Sequence, residues 1–113
     1  MKTTQKKMVK VLMLWGHQRY WQEVEGRSVS FSGFTEYQFI LHRSPLGNSM
    51  WRVSEATTGF YVADEATPNQ VLKAAKAKLL EVGKREIRGA FEKSEKLISS
   101  LELIDNPYLE GSI

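Results

Sequence analysis

WRVSEATTGFYVADEATPNQVLKAAKAKLL, Trp51–Leu80, carries the sharpest local signals in the chain: strand, tight turn, strand and capped helix. Trp51 and Val53 alternate with Arg52 and Ser54, which is the two-residue period of a half-buried strand. Ala56-Thr57-Thr58-Gly59 reads as a tight turn, with Gly59 where a short hairpin loop needs positive φ. Phe60–Asp64 is the returning strand, with Phe60 and Val62 on the Trp51/Val53 side and Tyr61 facing away. Thr67 is then a helix N-cap, Pro68 suits the first helical position, and Gln70 completes the S/T-x-x-Q form of the capping box. Val71, Leu72, Ala75, Leu79 and Val82 follow at helical spacing, so this face is expected to lie on the sheet.

Toward the N-terminus the pattern is strand after strand. Pro45 and Gly47 make Ser44–Ser49 a hairpin connection. Tyr37–Arg43 places Tyr37, Phe39 and Leu41 on one face and Gln38, Ile40 and His42 on the other. Arg27–Gly33 alternates Val29 and Phe31 with serines. Glu25-Gly26 reads as a turn, preceded by a short strand over Arg19–Val24. Met8–Trp15 alternates as a strand through Val9, Val11, Met13 and Trp15. Met8, Leu12 and Trp15 would also share a helix face, so strand and helix both remain open there. Residues 1–7 read as a flexible basic arm.

Toward the C-terminus the apolar phase slips at Gly83. Ile87, Ala90, Phe91, Leu97, Ile98 and Leu101 form a new stripe, so 67–101 is a helical region with a break near Gly83, either two helices or one kinked helix. Residues 102–113 read as a loose acidic tail. The expectation is one domain over 1–113, with an antiparallel sheet within 8–66. It is an α+β fold of four to six antiparallel strands with one or two C-terminal helices packed on one face.

Composition narrows the function classes. The chain of 113 residues is 42% hydrophobic and 26% charged, with net charge +3. Those values suit a globular domain and not a disordered one. It has no cysteine, which excludes disulfides, thiolate nucleophiles and cysteine-based zinc sites. No apolar run is long enough for a membrane helix and no signal-peptide pattern is present, so the chain is expected to be cytoplasmic.

No motif carries a reaction. His17 and His42 are isolated from any metal-ligand spacing. There is no phosphate-binding glycine loop and no G-x-S-x-G elbow. The expectation is a non-enzymatic protein with no catalytic residues, no cofactor and no metal. A protein partner or self-association is the first expectation, and the stripe of Ile87, Phe91, Leu97, Ile98 and Leu101 either folds back on the domain or forms a dimerisation or partner-binding helix. Nucleic acid is the alternative. It would use an open sheet face with His42, Arg52 and Tyr61, together with Lys6, Lys7 and Lys10 near the N-terminus. The same face could instead be simply solvated, or covered by the N-terminal strands with Trp15 and Trp21. No small-molecule substrate and no membrane partner is expected.

Over Tyr37–Val82, strands leading into a Thr67-Pro68-Asn69-Gln70 helix start resemble the β-β-β-α part of double-stranded-RNA-binding and HicB-like domains. Trp51–Gly59, followed by the Thr67-capped helix and Gly83-Lys84, also resembles small phage and prophage proteins of Gram-positive bacteria. The second resemblance implies a phage accessory protein and assigns no residue a role.

Overall fold

The computed structural model describes residues 8–44 and 49–107. The elements run β1 (Met8–Trp15), β2 (Gln18–Val29), β3 (Phe39–Arg43), β4 (Trp51–Glu55), β5 (Tyr61–Glu65), α1 (Pro68–Val82), α2 (Lys84–Ser99) and β6 (Glu102–Leu103). β1 to β5 form one antiparallel sheet in chain order, and β6 joins β2 in parallel. This is the expected α+β architecture, with both helices contributing to the core on one face. Among the described residues, no helix is long and apolar enough to cross a membrane.

The helix start follows its sequence signal. The Gln70 amide donates to Thr67 Oγ1 at 3.2 Å, and Pro68 opens the helix. Gly83, with φ of 91°, ends α1 by donating its amide to Leu79 O at 2.9 Å. Left-handed backbone suits glycine, and the break makes 67–101 two helices rather than one kinked helix. Met8–Trp15 is a strand, paired along its whole length with β2.

Gly26 is not a turn. β2 runs unbroken through it for 12 residues. Gln18–Glu25 pairs with β1, and Gly26–Val29 pairs with β3. A Cβ at position 26 would stand 2.4 Å from Leu41 O and 2.7 Å from His42 Cβ. The glycine permits close approach of the neighbouring strand where β2 passes from one partner to the other.

The Arg27–Gly33 strand also ends early, at Val29. Two successive turns take over, Phe34 N to Phe31 O at 2.9 Å and Tyr37 N to Phe34 O at 3.1 Å. They tuck Phe31 and Phe34 into the core.

The main core lies between the sheet and the helices. It joins Phe39, Leu41, Val53 and Val62 to Val71, Ala75 and Leu79 of α1 and to Ile87 and Phe91 of α2. The Phe91 ring sits edge-on to Tyr37 at 4.8 Å and to Phe60 at 5.3 Å. A bulge in the β4–β5 ladder changes the expected facing. Val53 pairs with Ala63 but Ser54 with Tyr61, so Val62 is the extra residue. Val62 and Ala63 are both buried.

A second, smaller core lies on the other side of the sheet. There the β1–β2 hairpin folds over β3 and packs Val11 and Val24 on Ile40. The sheet curls far enough to bring β1 to the β4–β5 turn, where a Cβ on Gly59 would stand 2.4 Å from Leu12 O.

The loose acidic tail is corrected over 102–107. Ile104 N donates to Arg19 O at 2.8 Å, continuing the β6 ladder. The buried Asn106 donates from Nδ2 to Gln22 Oε1 at 2.8 Å. This segment supplies partners along the edge of β2 that β3 does not reach. Residues 108–113, and the 1–7 arm with Lys6 and Lys7, lie outside the described residues.

Candidate functional site

His42, Arg52 and Tyr61 do not form an open face. His42 on β3 is 1% exposed and Ser54 on β4 is 3% exposed, because the β1–β2 hairpin covers this side. His42 Nε2 lies 2.8 Å from Ser54 Oγ, and Nδ1 lies 2.7 Å from Arg43 O. A carbonyl can only accept, so Nδ1 carries the proton and Nε2 accepts from the Ser54 hydroxyl. Burial pushes the His42 pKa below its ordinary value. The Arg43 carbonyl opposes this shift, the Arg52 charge adds to it, and the Asp64 charge also opposes it.

A hydroxyl beside an imidazole is the geometry of an activated nucleophile. Here it is sealed beneath the hairpin; Nε2 ties β3 to β4 through Ser54, and Nδ1 is engaged by the Arg43 carbonyl of β3 itself. The pair therefore acts as a structural crosslink.

Arg52 lies opposite Asp64 in register. Its Nε and Nη2 donate to the two Asp64 carboxylate oxygens at 2.7 and 2.9 Å. This fork-to-fork bond raises the Arg52 pKa. The guanidinium carbon also sits 4.7 Å from the Tyr61 ring centroid, and Lys78 Nζ reaches the same ring at 5.4 Å. Tyr61 stays half exposed. The Arg52 fork is occupied by a carboxylate, which leaves it poorly placed to grip a phosphate. Lys10 is exposed on β1, across from Glu23.

The helical stripe also divides. Ile87, Phe91 and Ile98 are buried in the protein's own fold. Leu101 is half-buried, and only Leu97 is exposed. One helical residue advances the direction by about 100°, so adjacent Leu97 and Ile98 take different faces. Phe91 is not available to a partner.

Leu97 instead joins residues from β1. Leu12, Met13, Leu14, Phe60, Leu97 and Ile98 line one groove of about 280 Å³ between β1 and the end of α2. Leu14 is 55% exposed and Leu97 64% exposed. Trp21, paired with Leu12 and so on the same face of the hairpin, is 39% exposed. Leu14 and Trp21 were readable in the sequence only as strand residues. The missing information was the curl of the sheet that brings β1 to α2.

Glu55 is a second residue whose role is visible only in the fold. Its buried carboxylate accepts from Thr57 N, Thr58 N and Thr58 Oγ1 at 2.8, 2.9 and 2.7 Å. It locks the β4–β5 turn. The Glu-x-x-Thr-Gly spacing is its only sequence signal.

Among the described residues, no group of three or more His, Asp or Glu side chains is arranged to hold a metal ion. Comparison with protein-family models, with characterised proteins and with solved structures finds no match to this chain.

Proposed function

We propose that the protein is a non-enzymatic interaction module that binds a protein partner, or a second copy of itself, through the surface bearing Leu14, Trp21 and Leu97. The carrying observation is the shared groove. Two of these leucines stand more than half exposed at its edge, over a floor that includes Leu12 and Ile98. Large apolar side chains grouped at one place on a surface mark contact sites more often than single exposed ones do. Covering the exposed half of each is worth on the order of 1–2 kcal/mol.

The polar groups that suggested other chemistry have structural work. His42 and Ser54 hold two strands together, and Arg52 is paired with Asp64. A cytoplasmic setting suits a chain without cysteine.

Sedimentation velocity over a range of concentrations, with capture of partners on immobilised protein, tests this reading. Self-association or a captured protein that is lost in Leu14→Glu/Leu97→Glu, with circular dichroism unchanged, supports it. A wild-type monomer that captures nothing the double variant does not also capture contradicts it.

A further inference from the structure

A different surface carries a second site. Arg27 of β2 and Lys73 and Lys76 of α1 line one groove of about 480 Å³, together with Ser28, Ser30 and Asn69, and no carboxylate lines it. Arg27 stands opposite Leu41 in register, hence on the sheet face that the helices cover. Asn69, Lys73 and Lys76 recur at spacings of four and three, so α1 presents them on one side. Three cations from two elements thus converge on one furrow.

None of the three stands within ion-pair distance of a carboxylate among the described residues. The first turn of α1 holds no acid that would offset the positive end of its dipole. Neutral hydrogen-bonding groups lie between the charges. Ser30 and, in the first turn of α1, Asn69 supply them.

We propose that this groove binds the phosphate backbone of a nucleic acid. Cations interspersed with hydroxyl and amide donors match phosphodiester oxygens, and contacts of this kind position a strand without reading its sequence. The site is separate from the Leu14/Leu97 surface and does not depend on the reading given there.

Fluorescence anisotropy with labelled single-stranded RNA and double-stranded DNA, and with polyglutamate as a protein polyanion, tests it. Three neutralised phosphates on a single strand predict an affinity loss of roughly 20-fold between about 50 and about 200 mM salt. Arg27→Glu/Lys73→Glu/Lys76→Glu, all at exposed positions, is expected to abolish binding at the lower salt. Lys93→Glu/Lys96→Glu on α2 is expected to weaken it by less than about threefold, since screening limits distant charges. Leu14→Glu/Leu97→Glu is expected to retain it. Absence of binding at low salt overturns the proposal. So does binding that survives the triple reversal in a folded protein, or polyglutamate bound as tightly as the oligonucleotides.

Discussion

His42 Nε2 and Ser54 Oγ lie 2.8 Å apart inside the sheet, and their bond crosses from β3 to β4 beneath the N-terminal hairpin. Burial holds His42 neutral by lowering its pKa. The unfolded chain, with its histidine near the ordinary value of about 6.5, then binds the proton more readily than the folded protein does. His42 is expected to contribute its full stability above about pH 6.5 and to lose it as pH falls through that value toward the folded pKa. Urea-unfolding midpoints across this window should fall with pH in the wild type. They should fall less in His42→Gln, which is itself less stable throughout.

Arg52 and Asp64 are expected to be coupled in stability rather than used in binding. Their bonds are short and two-pronged, but both side chains retain some exposure. A double-mutant cycle of Arg52→Ala and Asp64→Ala should give a coupling of about 1 kcal/mol, diminished by salt. Oligonucleotide affinity should not follow Arg52→Ala.

Two glycines are expected to respond to alanine with opposite signs. At Gly26 the new Cβ would meet the Leu41 carbonyl at 2.4 Å, a backbone atom that cannot swing aside. Gly26→Ala should cost about 3 kcal/mol or more, or prevent folding. Gly89 lies within α2, and a Cβ added there would meet nothing within 4 Å. Gly89→Ala should stabilise by about 0.5–1 kcal/mol, and thermal unfolding should show a rise of a few degrees.

Phe91 and Leu97 separate core from surface on one helix. Phe91→Ala removes a ring packed against Tyr37 and Phe60 and should cost about 3–5 kcal/mol in chemical denaturation. Leu97→Ala should change stability by no more than about 0.5 kcal/mol.

Local signals carried far. The Thr67 cap, the Gly83 stop and the strands around Trp51–Asp64 were all legible, because each depends on residues a few positions apart. Gly26 misled because a glycine that permits a turn and one that permits close approach look alike until the neighbouring strand is known. The bulge at Val62 was hidden for a similar reason, since one inserted residue leaves no compositional trace.

The candidate site was harder to read. Whether His42 faces solvent depends on where a separate hairpin, distant in the chain, folds, and no periodicity records that. The Leu14/Leu97 and Arg27/Lys73/Lys76 groupings likewise join distant segments through the curl of the sheet.

A photoreactive benzoylphenylalanine in place of Leu97, compared with the same group in place of the exposed Lys93, tests the proposed partner surface most directly. In extracts of the source cells a discrete crosslinked product is expected from position 97, to another protein or a second copy, and none from position 93. No product from position 97, or equal products from both positions, would contradict it.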